Sequence, residues 1–246
     1  MSTLLLKLAG PMQSWGASSK FTERQTRPEP TKSGVIGLLA AAQGRRRTDP
    51  IEDLAAIWFG VRMDQPGSLL RDFHTAHNSE GAAMPLSVRY YLMDAVFLVG
   101  IETNAALAES LAETLRRPAF PAFLGRRSCP PASPLVVGLF PDRGLSEALR
   151  AAPWQASEWY RRRARGAPVQ RLELARDRLP DDPPGMPTEL VQDVPVSFSP
   201  VRRQYGWRAV VREPDVAVSN DLYSGPEAPA PDAGAHDPFA VLEGGR

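Results

Sequence analysis

The chain has 246 residues, 43% of them hydrophobic, a formal charge of +1 and a single cysteine, Cys129. That is enough apolar material for one or two cores; it excludes an intrachain disulfide, and no apolar run approaches the length of a membrane span. Lys7 interrupts the only candidate for a signal peptide, so a reducing cytoplasm is the expected compartment. The small total charge conceals an asymmetry. Seven acids between Glu213 and Arg246 face one arginine, which leaves that segment at −6 and residues 1–212 at +7. No acid interrupts Pro30 to Thr48, which holds Lys32, Arg45, Arg46 and Arg47, or Val194 to Arg212, which holds Arg202, Arg203, Arg208 and Arg212. Stripes of this kind suit a polyanion.

Thr3 to Ala9 reads as a nearly all-apolar strand, hence an inner one covered on both faces. It runs into a loop, residues 10–16, in which Gly10, Pro11 and Gly16 shape the backbone and Met12, Gln13 and Trp15 are side chains able to stack on or hydrogen-bond to a base. A helix follows from Thr31 to Gly44, with Thr31 or Ser33 as its N-cap and Lys32 beside its positive end, an arrangement attractive to phosphate. A short helix is expected near Ile51 to Ile57, then strands at Trp58–Met63 and Leu69–Thr75. Between Leu69–Thr75 and a further strand at Ser87–Met93, residues 76–86 are polar and small, as in a projecting hairpin or insertion near 76–90.

Ala95 to Ile101 is another apolar strand, and Asn104 caps a helix to Arg117 with Leu107, Leu111 and Leu115 on one stripe. The Pro-rich loop from Phe120 to Pro134 holds Arg126, Arg127 and Ser128 at little further entropic cost, and Leu135–Leu139 is a strand. This order predicts an α+β sandwich of the βαββαβ kind with helices on one face. Beyond it the signals weaken: helices at Leu145–Ala152 and Ser157–Arg163, an irregular linker at Pro180–Pro187, and strands at Val191–Phe198 and Trp207–Arg212 joined by a turn from Arg202 to Gly206. A single domain is expected over residues 1–212, and 213–246, acidic and rich in Pro and Ala, is expected to be disordered.

Three histidines leave little room for catalysis. His74-x-x-His77 lacks a cysteine pair or nearby carboxylate ligands, so no metal or other cofactor is expected. Metal-free RNA cleavage would need a base, an acid and a cation around one 2′-hydroxyl, for which His74, Tyr90 or Tyr205, and Lys32 are the available groups. The commoner pattern is arginine beside an aromatic or amide: Gln13 with Trp15, Arg126 and Arg127 with Ser128, and Arg202, Arg203, Gln204 and Tyr205 with Trp207. Each combines a phosphate-seeking charge with a surface for an unstacked base.

Four segments, taken together and in order, resemble one family. They are Leu8-Ala9-Gly10-Pro11-Met12-Gln13-Ser14-Trp15-Gly16 with Pro30-Thr31-Lys32-Ser33-Gly34-Val35-Ile36-Gly37, then Arg71-Asp72-Phe73-His74-Thr75, Leu124-Gly125-Arg126-Arg127-Ser128-Cys129-Pro130, and Arg202-Arg203-Gln204-Tyr205-Gly206-Trp207-Arg208. The resemblance is to the CasD-type subunit of the type I-E CRISPR surveillance complex, Cascade. It implies a ferredoxin-like, RNA-recognition-motif-like (RAMP) fold with an inserted thumb-like hairpin, in that family a wedge into the guide RNA near the junction of 5′ handle and spacer. It further implies a non-catalytic subunit that holds the 5′ handle of the CRISPR RNA, caps the backbone filament and docks the large PAM-reading subunit. Target DNA would be met indirectly, by base pairing through the complex, and neither a membrane nor a small-molecule substrate is implied. The RNA-binding set expected on these grounds is Met12, Gln13, Trp15, Lys32, Ser33, His74, Arg126, Arg127, Ser128, Arg202, Arg203, Gln204, Tyr205 and Trp207. The competing expectation is a metal-independent endoribonuclease that processes the precursor RNA.

Overall fold

The computed structural model describes residues 1–16, 19–20 and 23–225. β1 (Ser2–Ala9) leads through the short strands β2 (Met12–Gln13), β3 (Ser19–Lys20) and β4 (Glu23–Arg24) to α1 (Lys32–Ala42) and one turn of helix, α2 (Glu52–Ala55). Next come β5 (Trp58–Gln65), β6 (Ser68–His74), β7 (Ser87–Met93), β8 (Val96–Thr103) and α3 (Ala105–Arg116). The chain finishes with β9 (Val136–Pro141), α4 (Leu145–Ala151), α5 (Glu158–Arg163), β10 (Val169–Asp177), β11 (Glu189–Ser197) and β12 (Gln204–Ser219).

Seven strands form one antiparallel sheet in the order β11-β12-β10-β5-β8-β1-β9. Within it β1, α1, β5, β8, α3 and β9 make the expected βαββαβ unit, and the order β9-β1-β8-β5 is that of a ferredoxin-like sheet. The continuous apolar run of β1 has its explanation in this layering. Leu4, Leu6 and Leu8 join Val35, Leu39 and Leu111 in one core, while Leu5 points to the opposite face and joins Leu145 and Leu149 of α4. Helices therefore cover both faces, where the sequence suggests one. The reason is a paired gap: Gly60 and Gly100 lie opposite each other in the β5–β8 ladder, and a Cβ on either would sit within 3 Å of Leu149 or Leu145. Two glycines side by side make the seat in which α4 rests.

A buried network of charges anchors α1. Thr31 caps the helix, its hydroxyl accepting from the Gly34 amide at 3.2 Å. The Lys32 amide donates to Asp193 Oδ2 (2.8 Å), and Lys32 Nζ donates to Asp177 Oδ2 (2.9 Å) and the Ile57 carbonyl (2.7 Å). Arg208 closes the ring, its Nε and Nη2 reaching Asp193 and its Nη1 reaching Asp177 Oδ1 at 2.7 Å. Burial works against the Arg208 charge, and the two carboxylates more than restore it, so its pKa lies above the ordinary arginine value. Four charges from α1, β10, β11 and β12 thus neutralise one another in the interior.

Arg62, fully buried, plays a similar part on the other face. All five of its N–H donors are used, two on Asp64 and three on the carbonyls of Leu149, Ala152 and Pro153 at the end of α4. Cations are favoured at a helix C-terminus for this reason.

A second, smaller sheet is centred on β7. It pairs antiparallel with β6 from Ser68↔Met93 to His74↔Ser87, so a hairpin is inserted between β5 and β8. Its other edge takes β2 antiparallel at Leu92 and Met93, and β4 parallel at Val88 and Arg89. In the hairpin tip Asn78 Oδ1 accepts from the Glu80 and Ala82 amides, and Gly81 turns at φ +83°.

Two features differ from the sequence-based reading. β10 is a full inner strand that the sequence hides, because Arg171, Glu173, Arg176 and Asp177 break its apolar pattern. β12 continues to Ser219, past the expected boundary at Glu213, and starts at Gln204, within the expected turn. Glu213 is no solvated tail residue: its carboxylate accepts from Ser146, Arg150 and Arg176. The expected tail from residue 226 onward lies outside the described residues. Among the described residues, no helix is long and apolar enough to cross a membrane.

Replacing Asp177 by alanine leaves the Lys32 ammonium with the Ile57 carbonyl but no buried counter-ion, and one arm of Arg208 without its acceptor. The expected loss is about 3–5 kcal/mol of unfolding free energy, or a Tm lower by roughly 10 °C, measured by urea titration and calorimetry; a loss near zero would refute the structural role of the network. Glu213 gives a pH signature. Burial raises its pKa, and the Arg176, Arg150 and Ser146 donors more than reverse this, so the folded value lies below the ordinary glutamate range. Its contribution is present above the unfolded pKa and is lost as pH falls through the folded one. Glu213→Gln should therefore flatten the acid limb of a Tm-against-pH curve below about pH 4.5; an unchanged acid limb would count against the clamp.

Candidate nucleic-acid interface

The loop at 10–16 and the loop at 124–130, two separate motifs in the sequence, are one body. The Ser14 amide donates to the Leu124 carbonyl (3.1 Å), and Leu124 and Cys129 close their own turn through Leu124 N to Cys129 O (2.7 Å). Gly125 sits at φ +84° with its backbone against the Ser14 carbonyl, where a Cβ would overlap that oxygen. Gly10 meets the Pro130 carbonyl in the same close way, at 2.8 Å from where its Cβ would be. Both glycines are needed because two backbones pass in contact.

Inside this body the expected base-reading side chains are occupied. Gln13 is buried, its Nε2 donating to the Leu8 and Ala95 carbonyls and its Oε1 accepting from Trp15 Nε1. Trp15 has 0% of its surface exposed and packs flat against Gly34 of α1, which has no side chain to obstruct it. Met12 is half-buried against the same core. Gln13 and Trp15 are thus pins that hold the loop, buried where the sequence reading expects side chains free to meet RNA. Lys32 is also occupied: its ammonium donates to Asp177, and the helix start beside it already receives the carboxylate of Asp193. Ser33 is buried with its hydroxyl 3.5 Å from Thr31 Oγ1.

The remaining candidates face outward to differing degrees. Arg126 is half-buried, its Nη2 donating to the Arg24 carbonyl (2.8 Å) and its guanidinium stacked 4.6 Å from the Tyr91 ring centre. Arg127 and Ser128 are exposed on the rim of the turn, above the buried Cys129, whose thiol pKa burial pushes up. His74 is exposed near the end of β6, its Nδ1 lying 3.8 Å from Asp72. At the β11–β12 turn Arg202 and Arg203 are exposed, Gln204 and Tyr205 are half-buried, and Trp207 is 63% exposed. The two tryptophans that sequence cannot tell apart have opposite fates.

Helix α1 touches both the loop body and the approach to the β11–β12 turn. Trp15 lies on Gly34 and Phe198, just before the β11–β12 turn, lies over Gly37 one turn later. Residues 23–29 complete the link: the Arg27 amide donates to the Trp15 carbonyl (2.7 Å), and Glu29 takes Arg212 of β12 in a two-point ion pair. The basic stripes are therefore thinner than their sequence suggests. Arg208 is in the internal network, Arg212 is held by Glu29, and Arg45 by Asp53. Among the expected residues Arg126, Arg127, Arg202 and Arg203 keep their charge without an ion pair within the described part of the chain.

Sequence reasoning passes over Asp177 and Asp193, whose partners lie far along the chain, and over Arg24 and Arg89, which are neighbours in the β4–β7 ladder. Alternation in Ser87–Met93 carries a weak signal for Arg89; for Arg24 there is none.

With this geometry established, the comparisons agree with one another. The family model described as "CRISPR-associated protein (Cas_Cas5)" matches residues 3–211. Among curated proteins, the chain is similar to the CRISPR system Cascade subunit CasD of Escherichia coli (strain K12), 35% identical over 158 residues, or 56% of this chain and 70% of that protein. Among solved structures it is similar to a chain of a CRISPR RNA-guided surveillance complex, with TM-score 0.70, 32% identity and coverage of 92% of this chain and 94% of that one. A Cas protein crystal structure aligns with TM-score 0.65 and 38% identity over 92% and 99% of the respective chains. The resemblance carried by the four motifs thus holds across the whole fold, and the chain belongs to the Cas5 family of CRISPR-associated proteins.

Proposed function

We propose that this protein is the non-catalytic Cas5 subunit of a type I-E Cascade, acting in the cytoplasm to hold the 5′ handle of the CRISPR RNA. The observation that carries the reading is the β11–β12 turn. Just beyond it, on the first residues of β12, a tryptophan stands in solvent a few residues along from Arg202 and Arg203, which have no ion pair among the described residues, with Tyr205 half-buried between them in the chain. Leaving a large aromatic side chain bare next to unneutralised charge has little structural use. It is what a stacking platform with phosphate contacts requires. Arg127 and Ser128 offer a second contact across α1, and His74 a third on the inserted hairpin, in the position of the thumb.

In this mechanism the protein reads no target sequence. Trp207 and Tyr205 hold handle bases, the arginines take phosphates, and pairing between guide and target supplies specificity. Capping the backbone filament and docking the large subunit would use other surfaces; Leu190, Val196 and Val201, left bare on the same hairpin, fit such contacts. The endoribonuclease reading loses its cation, since Lys32 is buried in a neutral network and is not available to stabilise a cleaving phosphate.

Three experiments test this. Replacing Arg127, Arg202 and Arg203 together by alanine should leave Tm within about 1 °C, as expected of exposed unpaired groups. It should also reduce the salt slope of guide-RNA binding by about 0.7 log unit for each phosphate lost; an unchanged slope in an anisotropy titration would count against the assignment. Trp207→Ala should weaken binding by about 1–3 kcal/mol while Trp15→Phe leaves affinity intact. Incubation with labelled repeat RNA separates the classes: intact, bound RNA supports the scaffold, and specific cleavage abolished by His74→Ala would establish the enzyme instead.

A further inference from the structure

The small sheet presents a second group of arginines that neither the fold nor the surface contacts above use. Arg24 of β4 and Arg89 of β7 are directly paired in a parallel ladder, which puts their side chains about 5 Å apart on one face. Tyr91, two residues along β7, shares that face, and Arg126 stacks on its ring while donating to the Arg24 carbonyl. Three arginines therefore converge partway along the β6–β7 hairpin. Like charges opposite one another in a sheet are destabilising, and no ion pair offsets them among the described residues. Asp72, across the hairpin from Arg89, spends one oxygen on the Phe73 amide and has the other 3.8 Å from His74.

Hydrogen bonding singles out the same place. Arg126 Nη1 and Arg89 Nε are both shielded from solvent and both lack an acceptor. That contrasts with the arginines that hold the fold together. Arg62 has all five donors satisfied, and Arg176 and Arg208 each grip two carboxylates. For those three arginines the chain supplies the acceptors; here it supplies charge and unused donors. A tetrahedral oxyanion provides what is missing, because its oxygens can bridge several guanidinium forks at once.

We propose that Arg24, Arg89 and Arg126 form a clamp for one backbone phosphate of single-stranded RNA on the flank of the hairpin. The inference rests on the RNA-binding function proposed above and adds two residues to it. Placed there, the clamp fixes the strand where it must pass the hairpin, and it is indifferent to base identity because it touches only phosphate.

The test uses the full chain and the double variant Arg24→Gln, Arg89→Gln, sparing Arg126 because of its contact with Tyr91. Inorganic phosphate, compared with chloride at equal ionic strength, should raise the Tm of the native protein and leave that of the variant unmoved. With a labelled single-stranded RNA as probe, the variant should bind at least about tenfold more weakly at low salt, with a salt slope smaller by about 0.7. Native-like RNA affinity and slope in the variant would overturn the clamp while leaving the RNA-binding function intact. A native protein stabilised by phosphate through these two arginines but unable to bind RNA would overturn the choice of RNA as ligand. A variant with a much lower Tm than the native protein in chloride would overturn it too, by showing the pair to be structural.

Discussion

Four buried charges hold this molecule in register. Lys32, Asp177, Asp193 and Arg208 come from the start of α1, the end of β10, the middle of β11 and the middle of β12, and each satisfies at least two of the others. Their sum is zero, so the interior carries no net charge, yet removal of any member leaves an unpaired ion in low dielectric. The network fixes the β11–β12 hairpin against α1, and α1 in turn carries Trp15 and the 10–16 loop. Every outward-facing arginine discussed above is positioned relative to that frame.

This constraint also explains which cations remain for a ligand. A helix start flanked by lysine looks like an anion site, but here the protein fills it with its own carboxylate from Asp193. Arg212 and Arg45 are likewise neutralised by acids that lie outside the acid-free stretches in which they occur. Part of the surplus positive charge of residues 1–212 thus stands in Arg126, Arg127, Arg202 and Arg203 and in the Arg24–Arg89 pair, none of which has an ion pair among the described residues. A neutral interior with a charged, aromatic rim is the distribution that the proposed RNA-binding role requires.

Much of the fold is legible in the sequence because its signals are local. The apolar run of β1, the cap of α1 at Thr31, the cap of α3 at Asn104 and the bounds Ser87–Met93 of β7 each need only neighbouring residues. What is not legible depends on partners far along the chain. Arg176 and Asp177 make β10 look like a loop until Asp182, Glu213, Lys32 and Arg208 are placed around them. Glu213 and Asp215 make the second half of β12 look like an acidic tail, although Glu213 is clamped by two arginines. The same limit applies to the site. Trp15 and Trp207 have similar sequence surroundings, and only Gly34 and the Gln13 amide decide that one is core while the other is not.

In the proposed role the RNA lies along the rim at Trp207 and Arg127 and does not enter the loop held by Gln13 and Trp15. Photo-crosslinking of the assembled complex with guide RNA carrying 4-thiouridine through its 5′ handle, followed by peptide mass spectrometry, tests it most directly. Adducts should map to the peptides holding residues 202–207 and 126–128 and spare the peptide holding Trp15. Adducts on Trp15 or Lys32, with none on Trp207, would contradict it.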